Sequence, residues 1–214
     1  AGGKGERMGA KIPKQFLQLK GKPILMHTIE KFKTTFPDIQ IILALPNNQM
    51  DYWEVLCKDY SFNVLHQVVA GGETRFHSVK NALEHLEDGL VAVHDGVRPF
   101  VTVDIIKQSF KMAQEVKAVV TAVMMKDSVR QIEESGKSRN IDRGTLRMIQ
   151  TPQTFDVELL KSAYNVSFNS SFTDDASVVE ASGKEITLLN GSYQNIKITT
   201  PEDMIIAEAL LKAK

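Results

Sequence analysis

LVAVHDGVRPF, residues 90–100, is an apolar run that ends on Asp95, with Arg98 and Pro99 just beyond. A strand without polar alternation is one covered on both faces, as in a parallel sheet flanked by helices. Similar runs recur along the chain at IQIILAL (39–45), NVLHQVV (63–69), AVVTAVMM (118–125), EITLL (185–189) and NIKIT (195–199). Helix-period segments lie between them. Pro23 suits the first turn of PILMHTIEKFK, and Phe76, Val79, Leu83 and Leu86 repeat at helical spacing in RFHSVKNALEHL. TTPEDMIIAEALLK closes the chain, with Thr200 as N-cap and Pro201 at the first helical position. Strands separated by helices predict a three-layer α/β fold with a mostly parallel sheet.

Length and composition bound the function. The chain's 214 residues fit one domain, and a hydrophobic fraction of 43% is enough for a real core. Lys+Arg and Asp+Glu both total 26, so a general nucleic-acid coat, which needs excess cations, is not expected. The single cysteine, Cys57, leaves no internal disulfide and fits a reducing compartment. No apolar run approaches the roughly 18 residues of a membrane span, and a soluble, cytoplasmic protein is expected.

The opening AGGKGERMGAKIPKQ (1–15) interleaves glycines with Lys4, Arg7, Lys11 and Lys14, a composition suited to phosphate. It supplies neither a Walker A loop nor, at Gly3, Gly5 and Gly9, the G-x-G-x-x-G spacing of a dinucleotide site. The acid that a dinucleotide site carries about 20 residues later is also missing. Such loops normally follow a strand, so the natural chain is expected to begin upstream of Ala1.

Other stretches carry chemistry. AGGETRFHSVKNAL (70–83) puts Gly71 and Gly72 before a helix capped by Thr74, where a ligand could approach the backbone. Asp95 falls beyond the carboxyl end of a buried strand, where open α/β sheets bind ligands, although a purely structural Asp95–Arg98 pair is the competing reading. His94 reads as a packed side chain, since no cluster has zinc spacing. In TDDASVVEASG (173–183) the acids fit the first turn of a Thr-capped helix, with a metal role for Asp174 or Asp175 as the lesser alternative. KDSVRQIEESGKSRNIDRGTLRMIQ (126–150) is too polar for core and predicts a projecting hairpin turning at Ser135-Gly136.

Taken in order, AGGKGERMG with PKQ, GGETRFHSV with NAL, VHDGVRPF, TPQTF, TDDAS and NIKITTPEDM resemble the motifs of the 2-C-methyl-D-erythritol 4-phosphate cytidylyltransferases across essentially the whole chain. The resemblance implies a Rossmann-like nucleotidyltransferase domain spanning 1–214, with 126–148 as a β-arm that clasps a second subunit in a homodimer. It implies transfer of CMP from CTP to methylerythritol 4-phosphate with release of pyrophosphate, and magnesium as the cation.

Residue by residue, the resemblance makes Arg7 and Lys14 the catalytic pair that stabilises the transition state. It places Ala1, Gly2, Gly3, Gly72, Ser78 and Asp95 at CTP, and Asp95 as the protein group nearest the metal. Arg98, Ser128, Arg143, Thr151, Thr173 and Lys197 would position the sugar phosphate. Gly96 and Val97 stand where the family has alanines, Ser128 replaces a threonine while keeping its hydroxyl, and the arm is slightly short. Ribitol-5-phosphate cytidylyltransferases share these motifs and form the nearest alternative. A non-catalytic nucleotide-binding module and an NAD(P)-dependent oxidoreductase are the rivals from other classes.

Overall fold

The structure, a computed structural model, describes residues 12–212. A 3-10 turn at Lys14–Phe16 leads into a small antiparallel pair, β1 (Gln18–Leu19) and β2 (Lys22–Pro23). Strands and helices then alternate: α1 (Ile24–Thr35), β3 (Ile42–Leu45), α2 (Asn47–Asp59), β4 (Gln67–Ala70), α3 (Arg75–Leu83), β5 (Leu90–Val93), α4 (Val103–Val116) and β6 (Ala118–Met124). The polar segment folds as a hairpin, β7 (Val129–Ile132) and β8 (Ser138–Ile141), with Gly136 at φ +80° in its turn. The chain finishes with β9 (Arg147–Asp156), α5 (Val157–Ala163), α6 (Asp175–Ala181), β10 (Thr187–Asn190) and α7 (Pro201–Lys212).

β3 and β4 pair in parallel, and a four-stranded sheet runs in the order β10, β6, β9, β5. β10 is parallel to β6, whereas β9 runs antiparallel to both β6 and β5, so β5, β6 and β10 share one direction. The reversal of β9 has a simple cause. The chain returns to the sheet from the hairpin without a crossover helix, and only an antiparallel strand can be reached that way.

Successive β6 side chains are buried on opposite faces and so define three layers. Ala118 and Val120 face a core built with Phe76 and Leu83 of α3, Leu160 and Ala163 of α5, and Val178 and Val179 of α6. Val119 faces the other way, onto Ile105, Ile106 and Ala113 of α4 and Phe32 of α1. A further core joins α1 to α2 and β3 through Met26, Ile29, Leu45 and Trp53. Cys57 sits on α2, where burial pushes its thiol pKa up, the signature of a packing cysteine rather than a nucleophile. The helices begin where side chains can cap them: the Thr102, Asp156 and Asp174 oxygens accept from Ile105, Leu159 and Ser177 N–H groups. At α7, the Asp203 carboxylate accepts from the Thr200 N–H at 2.8 Å.

Two strand expectations are corrected. NIKIT (195–199) joins no ladder; the Ile198 N–H donates to the Val97 carbonyl at 3.0 Å, and Ile198 is buried with Leu19, Val97 and Ala207. Its apolar residues serve a small core under α7, not a sheet. Conversely β9, with Gln150, Thr151, Gln153 and Thr154 all buried, lacks the apolar run that would mark it as a central strand.

Leu160 is fully buried between α5 and the sheet, and Ile205 on α7 is 70% exposed. Urea unfolding should show Leu160→Ala losing about 2–5 kcal/mol, and Ile205→Ala changing by less than about 0.5 kcal/mol.

Candidate active site

A cavity of about 730 Å³ runs between β3 and β5 and reaches their carboxyl ends, and its lining includes Lys14, Arg75, Ser78, Asp95 and Lys197. Its far wall is apolar, from β3, β5 and α1.

One side of the mouth is the glycine turn after β4. The Gly71 N–H donates to the Leu45 carbonyl at 2.7 Å, which draws the turn against the end of β3. The Gly72 N–H donates to Ser78 Oγ at 3.1 Å, and that hydroxyl donates to the Thr74 carbonyl at 3.0 Å. A methyl group on Gly72 would lie 2.3 Å from the His77 Cβ, so only glycine fits there. Ser78 is therefore occupied in shaping the turn, a role its place among the nucleotide-contacting residues did not suggest.

The other side is built on Asp95. Its Oδ2 accepts from Arg98 Nε at 3.0 Å and lies 3.1 Å from Lys197 Nζ. Burial by itself would raise this carboxyl, but Lys197, Arg98 and Arg75 outweigh burial and hold it well below the usual carboxylate range. Asp95 is thus firmly ionised. Arg98 also donates through Nη1 to the Asn195 carbonyl at 2.7 Å, which fixes the guanidinium and the NIKIT segment together.

A hydrogen-bond chain lies behind this cluster. The Asp95 N–H donates to Thr151 Oγ1 at 3.0 Å, and Thr151 Oγ1 lies 3.0 Å from His94 Nδ1. His94 Nε2 is 3.1 Å from the Arg98 carbonyl, which can only accept, so Nε2 carries the proton and Nδ1 accepts from Thr151. Burial lowers His94 to about 4, with the Arg98 carbonyl and Asp95 opposing it less strongly, so the ring is neutral near pH 7. Asn195 donates to the Thr151 carbonyl at 2.9 Å and closes the loop back to Arg98.

The structure therefore gathers Lys14, Gly72, Ser78, Asp95, Arg98, Thr151 and Lys197 around one cavity or its immediate wall. Thr173 is exposed and lies just before Asp174, the N-cap of α6. Ser128 and Arg143 are exposed on the arm and do not line this cavity; Arg143 Nη1 donates to the Lys126 carbonyl at the arm's base. Ala1, Gly2, Gly3, Lys4, Arg7 and Lys11 lie outside the described residues. Sequence reasoning did not single out Arg75, Gln153 or Asn195, because buried polar partners leave no periodic trace.

Among the described residues, no three His, Cys, Asp or Glu side chains gather to hold a metal. Asp174 and Asp175 are committed elsewhere: Asp174 caps α6, and Asp175 is fully buried against Arg75 and Tyr164. Asp95 remains as a single ionised carboxylate. It fits a cation of the magnesium type, which is commonly held by one or two carboxylates together with substrate phosphates.

The family model of 2-C-methyl-D-erythritol 4-phosphate cytidylyltransferase matches residues 1–213. A protein of that name from Bacteroides thetaiotaomicron is 52% identical over 212 residues, covering 99% of this chain and 96% of that protein. Another, from Phocaeicola vulgatus, is 50% identical over the same shares of the two chains. A crystal structure of 4-diphosphocytidyl-2C-methyl-D-erythritol synthase from Anaerococcus prevotii is similar with a TM-score of 0.83 at 29% identity, covering 96% of this chain and 93% of that one. The cytidylyltransferase from Thermus thermophilus gives 0.79 at 30% identity, covering 94% of each.

The unfolded chain takes up the His94 proton near pH 6.5, the folded chain only near pH 4. Folding stability is therefore fully supported above pH 6.5 and is lost as the pH falls through that window. Urea titrations at pH 7 and pH 4.5 should show His94→Gln losing about 2 kcal/mol less than the wild type on acidification.

Proposed function

The chain belongs to the 2-C-methyl-D-erythritol 4-phosphate cytidylyltransferase family, and on that premise we propose how its residues divide the work of the reaction. The protein is a nucleotidyltransferase that transfers CMP from CTP to 2-C-methyl-D-erythritol 4-phosphate and releases pyrophosphate, a step in isoprenoid precursor synthesis. Its relatives carry this name, which disfavours the ribitol phosphate alternative.

The acceptor's phosphate oxygen attacks the α-phosphorus of CTP. A new P–O bond forms, the bond to the β-phosphate's bridging oxygen breaks, and its electron pair leaves with pyrophosphate. That nucleophile is already anionic, so the site needs no general base. The difficulty is to bring two polyanions together and to stabilise the charge that develops, a task for fixed cations and preorganised donors. The observation that carries this reading is the Asp95–Arg98–Lys197 cluster at the carboxyl end of β5, opening into the cavity that Lys14 also lines.

Lys14 is assigned to the α-phosphate as a compact charge, and Arg7, outside the described residues, is assigned the complementary role of a planar fork. The Gly71-Gly72 turn supplies a surface that a cytidine can approach closely. Lys197 and Arg98, ordered by Asp95, receive the acceptor's phosphate. Magnesium, held by Asp95 and the triphosphate, would neutralise charge on the departing pyrophosphate. A cytoplasmic location fits the reading, and among the described residues no helix is long and apolar enough to cross a membrane.

The arm is assigned to a homodimer. A two-stranded ribbon is marginal by itself, and this one carries Ile132 67% exposed, with Met124, Met148 and Ile149 exposed near its base. Ser128 and Arg143 then have a use away from their own cavity, at the edge of a clasped second copy.

Pyrophosphate release should be measured with each nucleoside triphosphate and a panel of polyol phosphates, methylerythritol and ribitol phosphates included. The expected pair is CTP with methylerythritol 4-phosphate; turnover only with ribitol 5-phosphate would overturn the acceptor assignment. In that assay Lys14→Ala should depress kcat by roughly a hundredfold or more with folding intact. Lys197→Ala should raise the KM for the acceptor more than that for CTP, and equal rises would remove it from the acceptor's phosphate. Sedimentation should show a dimer that becomes a monomer when residues 130–140 are deleted; a monomeric wild type would refute the clasp.

A further inference from the structure

Arg75 and Asp175 form an ion pair that ties α3 to α6, and the reaction scheme above has no use for it. Asp175 is 0% exposed. Both of its oxygens accept from the Arg75 guanidinium, Nη1 at 2.9 Å and Nη2 closer still, and Oδ1 also accepts from the Tyr164 hydroxyl at 2.6 Å. A carboxylate so far from water is sustained only when its lone pairs are met by well-placed donors. Here they are met end-on by a planar fork, a geometry that lysine cannot reproduce.

The pair's position gives it meaning. Arg75 is the first residue of α3, directly after the Gly71–Thr74 turn, and it lines the same cavity as Asp95. Asp175 is the first residue of α6, next to Asp174 and near Thr173. Tyr164 grips α3 a second time, since its ring stacks on Phe76 with centroids 4.7 Å apart. From α6 the connection continues into β9. Gln153 donates to Asp174 Oδ2 at 2.9 Å and accepts from the Ala176 N–H at 3.0 Å. Two residues earlier on that strand, Thr151 holds the Asp95 backbone.

We infer that Arg75, anchored by Asp175 and Tyr164, is a positioning residue that locks the nucleotide-side glycine turn to α6 and β9, and so to the acceptor-side cluster on Asp95. Its charge is already matched by Asp175, which suits it to fixing geometry more than to clamping phosphate. Release of the tie at its α6 end, away from the glycine turn, loosens that turn and weakens CTP. The inference rests on the cytidylyltransferase reading and adds a coupling between its two substrate sides.

Steady-state kinetics of wild type, Asp175→Asn, Arg75→Lys and Tyr164→Phe, with thermal melts of each, test it. Asp175→Asn and Arg75→Lys should each raise the KM for CTP about tenfold while the KM for the acceptor moves less than about threefold. The double variant should be little worse than either single one, because both remove the same tie. Tyr164→Phe keeps the stacked ring and loses one donor, so a smaller rise in the KM for CTP is expected. It decides the matter if the charge variants fail to fold. Lowered melting temperatures with both KM values at the wild-type level would make the pair a structural brace only and overturn the inference. A wild type that releases no pyrophosphate from CTP would instead remove the reaction itself.

Discussion

A carboxylate buried at the end of a strand stays ionised only if cations come to it, and Asp95 draws them from distant parts of the chain. Arg98 arrives from the turn that follows β5, Lys197 from the segment before α7, and Arg75 from the start of α3. Burial works against the charge, and the three cations overcome it. Much of the local architecture secures those cations. Ile198 and Ala207 pack with Val97 and Phe100, which seats the Lys197 segment beside the strand end. The Asn195 carbonyl and the buried Asn195 amide tie Arg98 to Thr151. His94 holds Thr151 from behind, and its ring is pinned edge-on to Phe32 of α1.

The chemistry follows from what is absent as a requirement. An anionic nucleophile needs no proton removed, so the work left to the protein is orientation and charge. The two sides of the cavity mouth answer those needs differently. The glycine turn presents backbone, with Ser78 and Thr74 spending their hydroxyl and carbonyl groups on its shape. The Asp95 side presents cations whose positions are set by a carboxylate rather than by flexible stems alone. A lysine or arginine so ordered loses less freedom when a phosphate arrives. The Arg75–Asp175 pair bridges the two sides through the core instead of across the open mouth.

The arm obeys different physics. Its strands are exposed nearly throughout, and cross-strand contacts such as Arg130 with Ser138 and Arg139 with Gln131 hold the ribbon's register. Polar side chains let it stand away from the core without collapsing on it, while Ile132 and the methionines near its base leave apolar surface exposed.

The sequence by itself determined the layered α/β plan, since apolar runs at 39–45, 90–94 and 118–125 separated by helix-period segments admit few other arrangements. It also determined the glycine turn, the Thr74 cap and the polar hairpin, because turn and cap chemistry is local, whereas the expected threonine cap of α6 is Asp174 instead. Asp95 was legible as the end of a buried strand. Only the tertiary structure decided that NIKIT forms no strand and that β9, rich in buried Thr and Gln, is a central one. Apolar periodicity reports burial, not the partner a backbone finds. The polar groups of β9 are buried because Thr121, Ser109, Asp174 and Asn195 meet them from elsewhere in the chain. The roles of Asp175 and Ser78 were hidden for the same reason. A side chain's type names the bonds it can make, and only the fold determines which groups, up to 100 residues away, stand within reach.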